Sequence, residues 1–236
     1  MGKVAFGQRI CVYTRAWQSG GAGLFARELV NGLLDNGAAV TFISPVCPDT
    51  RFETPRAGLQ RLRPPRETPG KSKRFNRLRG VGRIVASAGF LLWKRLTIRV
   101  YLVSIPDVLP VMLPVLAVLR LTGACVIFIV HDPLPHAWKL PSSLHWLERW
   151  SHGACYALAS ATVVLSEPSR AKMAQAFPRL STPVHVIEHG VFVMGEPTEM
   201  PGNGVLLIFG SLRRNKGILE AMKGGSLRVR RAFPAA

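Results

Sequence analysis

Nine residues late in this 236-residue chain, Phe209-Gly-Ser-Leu-Arg-Arg-Asn-Lys-Gly217, hold its most suggestive chemistry. A strand-like run, Gly204 to Phe209, ends at Gly210; Arg213 and Arg214 follow, and Lys216-Gly217 opens a helical stretch. A lysine at a helix N-terminus opposes the helix dipole unless an anion sits there too. A diphosphate would supply that anion, with Arg213 or Arg214 as a second clamp. A solvated basic loop would use the same residues.

A second turn, Gly20-Gly-Ala-Gly23, also lies between a strand-like run and a helix start. Such a turn brings backbone N–H groups close to an anion at the helix N-terminus. It lacks the spacing of a dinucleotide fingerprint, so a plain tight turn competes with phosphate binding. His131-Asp-Pro-Leu-Pro-His136 follows a buried strand, at the end where parallel sheets place ligands. Its two prolines and five-residue histidine spacing fit no common zinc arrangement. A polar contact to a sugar hydroxyl or phosphate suits His131 better, and a loop-stapling histidine is the alternative. Ser166-Glu-Pro-Ser169 reads as a helix N-cap, and His189-Gly190 as a turn.

These residues need an alternating scaffold to hold them. Arg9 to Thr14 reads as a buried strand, Leu24 to Leu34 as a helix stopped by Asn36-Gly37, and Ala38 to Ser44 as the next strand. Strand, glycine turn, helix, strand implies a parallel sheet. Pro45 to Lys73 is rich in Pro, Arg and Thr and reads as an exposed loop. Phe75, Leu78, Val81, Val85, Ala88, Leu92 and Leu96 then recur at helical spacing. Strands at Val100–Ser104, Cys125–Val130, Ala161–Leu165 and Val184–Ile187 alternate with helices at Val111–Leu121, at Trp146–Leu158 and from Glu167. The fold class expected is α/β, a Rossmann-like doubly wound parallel sheet followed by the first βα unit of a second such domain. Residues 1–196 form the first domain, 197–223 a linker and the start of the second, and 224–236 an atypical tail.

Composition limits the classes of function. The chain is 48% hydrophobic and 19% charged, which excludes a disordered polymer. Thirty-one Lys and Arg against thirteen Asp and Glu give +18, so polyanions are the expected partners. Between Lys71 and Arg99 stand nine basic residues and no acid. Cys11, Cys47, Cys125 and Cys155 lie far apart, without metal spacing, and Cys11 and Cys125 read as buried free thiols of a reducing cytoplasm. Arg99, Asp107 and Arg120 interrupt the apolar region from Ile98 to Val130, and its longest uncharged stretch is too short for a spanning helix.

In this order the motifs resemble those of glycosyltransferase family 4. The likeness runs from about residue 9 to 223, through the glycine loop with Arg27-Glu-Leu29, HDPLPH, VVLSEPS, VIEHGV and LLIFGSLRRNKG. The resemblance implies a GT-B fold, two facing Rossmann-like domains with acceptor bound by the first and nucleotide sugar by the second. It implies retention of anomeric configuration and no metal or other cofactor, the nucleotide sugar being a substrate. Carried over by motif, His131 would touch the transferred sugar as the catalytic position. Gly20, Gly21, Gly210, Arg213 and Lys216 would hold the donor phosphates, and Asp132, His136 and Ser166 are further candidates for sugar or acceptor contact. Ser211 stands where many members carry Arg, which leaves Arg213 as substitute. The family's Glu pair has no counterpart here, and Gly224 to Ala236 lacks family likeness. A C-terminal truncation, with weak or no activity, is therefore expected.

The segment 74–96 pairs Arg74, Arg77, Arg79, Arg83, Lys94 and Arg95 with an apolar stripe that includes Phe90, Leu91 and Trp93. Such a helix can lie in an anionic bilayer surface; an ordinary domain helix with solvated arginines is the alternative. The expected protein is thus a cytoplasmic glycosyltransferase, peripheral at the inner face of the membrane. Its partners would be a nucleotide-sugar donor and a glycan or lipid-linked acceptor of cell-surface polysaccharide or glycolipid synthesis. A non-catalytic anion- or membrane-binding remnant domain is the rival reading. No nucleic-acid motif interleaves aromatics with the basic run.

Overall fold

The computed structural model describes residues 7–16, 21–46, 55–68, 70–134, 138, 140–188 and 190. All belong to the first of two compact units, Met1–Val191, the second being Phe192–Ala236. The expected phosphate contacts Gly20, Gly210, Arg213 and Lys216, and also His136 and His189, lie outside the described residues.

Seven parallel strands form one sheet in the order β3-β2-β1-β4-β5-β6-β7. They are β1 Arg9–Tyr13, β2 Ala39–Ile43, β3 Leu59–Leu62, β4 Val100–Val103, β5 Cys125–Val130, β6 Ala161–Val164 and β7 Val184–Val186. The helices are α1 Gly21–Asp35, α2 Lys73–Lys94, α3 Leu109–Leu121, α4 His145–Leu158 and α5 Glu167–Ala176. Parallel strands need crossover connections, and right-handed crossovers decide which face each helix covers. The chain steps one way from β1 to β3 and the other way from β4 to β7, so α1 lies opposite α2, α3 and α4.

Side-chain alternation along β1 follows this division. Ile10 and Val12 pack with Ala26 and Val30 of α1. Cys11 and Tyr13 join Leu91 of α2, Met112, Leu116 and Leu119 of α3, and Cys155 and Tyr156 of α4. Burial on both faces explains why this strand reads as an unbroken apolar run. Gly37 and Gly123 end α1 and α3 at φ near 80° and 85°, a left-handed turn that glycine adopts without strain. Each lets the next residue bond back into the helix, Ala38 N–H to the Leu33 carbonyl (3.0 Å) and Ala124 N–H to the Leu119 carbonyl (2.9 Å).

The structure corrects two sequence expectations. The segment read as loop from Pro45 to Lys73 contains β3, which pairs with β2 from Val40↔Leu59 to Ile43↔Leu62. Leu-Gln-Arg-Leu is too short to show a period, and an edge strand buries only part of one face. The second correction concerns α2. Its inward face is Arg83, Ser87 and Leu91, whereas Phe75, Leu78, Val81, Val85 and Leu92 of the expected stripe are exposed. Arg83, expected among the basic residues of a surface helix, is buried. Among the described residues no helix is long and apolar enough to cross a membrane.

Burial also sets an alkaline limit on stability. The Tyr13, Tyr101 and Tyr156 hydroxyls are pushed above their ordinary value of 10.0, chiefly by desolvation. The Cys11 and Cys155 thiols are likewise raised above 9.0, Cys155 to about 12. The folded chain therefore holds these protons more tightly than the unfolded chain. The contribution is fully present below about pH 9 and is lost as pH climbs and the unfolded state deprotonates first, each group adding a slope of up to about 1.4 kcal/mol per pH unit. Urea midpoints should fall steeply above about pH 9. A midpoint that holds level to about pH 11 would contradict this account of the core.

Candidate functional site

The loops at the C-terminal edge of the sheet are tied to one another strand by strand. Ser104 N–H donates to the Tyr13 carbonyl at 3.0 Å and Arg15 N–H to the Ile105 carbonyl at 2.7 Å. Thr14, fully buried, accepts the Ala16 N–H at its hydroxyl (3.1 Å). These bonds fix the exits of β1 and β4 side by side.

His131 stands at the exit of β5, the first residue after Val130. Its Nε2 lies 3.0 Å from the Ser104 hydroxyl. The Phe25 ring of α1 meets the imidazole edge-on, at 5.0 Å between centroids and 82° between planes. Contacts from two elements thus orient the ring and leave it half-buried at the edge where ligands bind in such sheets. The following residues are anchored from α4. Pro133 is buried, and its carbonyl accepts the Tyr156 hydroxyl at 3.2 Å. Because that hydroxyl has one proton, His152 Nδ1, 3.2 Å away, completes the pattern by donating to it. Asp132, beside His131, is exposed.

Gly21 is the first residue of α1, and Phe25 follows one turn later, so the helix that packs on His131 also carries the glycine turn. Gly21 is exposed, and a Cβ added there would meet nothing within 4 Å. A Gly21→Ala substitution should therefore leave the thermal midpoint unchanged or slightly raised, since Ala suits a helix better than Gly. Weakened nucleotide-sugar binding with an intact midpoint would mark close approach by a ligand. Equal binding by G21A would assign this glycine to the turn alone.

Ser166 caps α5. Its hydroxyl oxygen accepts the Ser169 N–H at 3.3 Å and lies 3.0 Å from the Ser169 hydroxyl. Its hydrogen bonds account for the cap, and it sits at the exit of β6 on the same edge as His131.

Below this edge lies a buried ionic group that sequence reasoning missed. Arg83 Nε donates to Asp107 Oδ1 at 2.8 Å, and the Tyr13 hydroxyl donates to Oδ2 at 2.8 Å. Glu67, half-exposed, takes the second Arg83 nitrogen at 3.3 Å. The Asp107 side chain is wholly buried. Its carboxylate and Glu67 hold the Arg83 guanidinium charged, against the cost of desolvation. The group joins α2, the exit of β1 and the start of α3 into one rigid corner. Ser104, Phe25 and this corner carry no motif; the only sequence signal for Ser104 is its place directly after a strand.

Set beside known proteins, residues 19–193 match the sequence model of Glycosyltransferase Family 4. The chain belongs to glycosyltransferase family 4. Among solved structures this family 4 chain is similar to Phytolacca americana UGT2 complexed with UDP-2-fluoro-glucose and pterostilbene, at TM-score 0.52 and 12% identity, covering 79% of this chain and 55% of that one. It is also similar to a UDP-glucosyltransferase from Polygonum tinctorium capable of glucosylating indoxyl, at TM-score 0.50 and 12% identity, covering 84% of this chain and 56% of that one. These likenesses show the fold, a GT-B-type Rossmann-like domain. The family 4 chain spans about half the length of the solved structures it matches. No curated protein sequence matches it.

Proposed function

We propose that this chain is the acceptor-side part of a retaining glycosyltransferase that moves a sugar from a nucleotide-sugar donor to a glycan or lipid-linked acceptor. Cell-surface polysaccharide or glycolipid assembly is the setting that suits such an acceptor. One observation carries the reading: at the C-terminal edge of the sheet His131 is held by Ser104 and by Phe25, a residue of the helix that begins at Gly21. In this reading His131 hydrogen-bonds a hydroxyl of the transferred sugar. Backbone N–H groups at Gly20 and Gly21 face the donor phosphates, and Gly210, Arg213 and Lys216 clamp the diphosphate. Asp132, His136 and Ser166 border the acceptor. The transfer uses no metal or other cofactor. The UDP-sugar in the Phytolacca structure supports a nucleotide-sugar donor.

In this proposal the 236 residues, which span about half the length of the solved glucosyltransferases they match, bind such donors weakly and turn over little by themselves. The test is transfer from a panel of labelled nucleotide sugars into membrane lipid extract. The chain is assayed alone and together with a separately expressed donor-binding domain of a family 4 glycosyltransferase. Transfer with retained anomeric configuration only in the paired preparation supports the reading. Steady transfer by the chain alone would overturn the two-part proposal, and no transfer in either would favour a non-catalytic anion-binding domain.

A further inference from the structure

We infer that the N-terminal edge of the sheet, the end away from His131, carries a separate anion site, a cavity that takes the phosphate group of a small phosphorylated molecule. The inference does not depend on the transferase reading. The cavity, about 180 Å³, opens where β1, β2 and β3 begin and where α2 ends. Arg9, Thr41 and Gln60 line it from the strands, and Lys94, Thr97 and Ile98 from the end of α2 and the turn into β4.

Strand alternation puts these side chains there. Cys11, Ile43 and Leu62 belong to the core that includes Leu91 of α2. Arg9, Thr41 and Gln60 stand two residues before them, so they continue the same face of the sheet toward its edge. Where that core would call for apolar side chains, the sequence supplies a cation, a hydroxyl and an amide. Thr41 is only 6% exposed, and its hydroxyl donates to Gln60 Oε1 at 3.3 Å. That bond engages the carbonyl end of the Gln60 amide and leaves its NH₂ end to donate.

Charge decides the ligand. Two cations line the cavity and no carboxylate does. Among the described residues the Arg9 guanidinium has no ion-pair partner. The Lys94 ammonium lies over the Trp93 ring at 4.2 Å, a contact that holds it without neutralising its charge. Burial raises the Cys11 thiol and Lys94 acts against that rise, so the ammonium's field reaches the sheet beneath the cavity. Two uncompensated cations beside neutral donors suit the several acceptor oxygens of a phosphate. Size excludes a nucleotide sugar, since sites that enclose ligands of that bulk run from roughly 300 to 1,000 Å³.

Amide NMR of the 236-residue protein, titrated with inorganic phosphate at constant ionic strength, tests this. Shifts should saturate at Arg9, Thr41, Gln60 and Lys94. Arg9→Gln and Lys94→Gln should each weaken binding at least about tenfold, the loss of one charge-assisted hydrogen bond. Thr41→Val, which keeps the side-chain shape, should weaken it about fivefold. Arg74→Gln/Arg77→Gln removes two charges from the other end of α2 and should leave the affinity unchanged. Equal weakening by that pair would overturn the inference, because the attraction would then be that of the +18 chain as a whole. Absence of saturable shifts at the four cavity residues would overturn it too. Glycerol 3-phosphate should bind at least as tightly as inorganic phosphate, and UDP should not compete. Displacement of phosphate by UDP would assign the cavity to a nucleotide and reject the separate site.

Discussion

Replacing Asp107 with Ala should destabilise the domain by about 3–5 kcal/mol, a large share of the stability of a unit this size. The substitution leaves the Arg83 guanidinium in a buried site with only the half-exposed Glu67 3.3 Å away, and removes the acceptor of the Tyr13 hydroxyl. An ion pair of this kind is not itself strongly stabilising, because desolvating both charges offsets most of their attraction. Removing one partner is costly for that same reason. The matching result is that Arg83→Met/Asp107→Leu, which removes both charges, should recover most of the loss. Urea unfolding of the parent, D107A and the double variant reads the three values. A double variant as unstable as D107A would show that the damage comes from lost packing.

The second large effect concerns activity. In any preparation of this chain that transfers sugar, His131→Ala should lower kcat/KM by about 10²–10³-fold, the range for losing one preorganised hydrogen bond in the transition state. Its effect on stability should be small, since the half-buried ring lies at the sheet edge and not in the core. Ser104→Ala separates two roles for the same contact. If Ser104 only orients the imidazole, its loss should lower kcat/KM by a smaller factor and leave donor affinity unchanged. H131A with full transfer activity would remove His131 from the proposed chemistry and reduce it to a loop staple.

How far the sequence led depended on where each residue's partners lie. β1, β2 and β5 were legible because a strand buried on both faces must be apolar throughout, and Cys125–Val130 is bounded as read. The C-cap at Gly37 and the cap at Ser166 were legible because capping is local in sequence. β3 was not, since Gln60 and Arg61 break its pattern at an edge. The orientation of α2 was illegible for a different reason. Periodicity locates an apolar stripe but does not say which side faces the core, and here Asp107, 24 residues from Arg83, draws the opposite side inward. Of the candidate site, the position of His131 followed from its place after a strand. Its neighbours Phe25 and Ser104 are brought to it by the crossovers alone.

The sheet order has a kinetic consequence. With all seven strands parallel, no pair can close through a hairpin, and the central pairing Ile10↔Val100 joins residues ninety positions apart. Closing that loop is the costliest ordering step in the sheet, so β1–β3 and β4–β7 should form as two subassemblies before they dock. The Arg83–Asp107–Tyr13 group spans that seam, so it can form only once the halves have met. Asp107→Ala should then speed unfolding while refolding keeps nearly the parent rate, as stopped-flow chevrons would show. Slower refolding in D107A would place the seam inside the folding nucleus. With that order of assembly, these charges act as a latch on a sheet already formed.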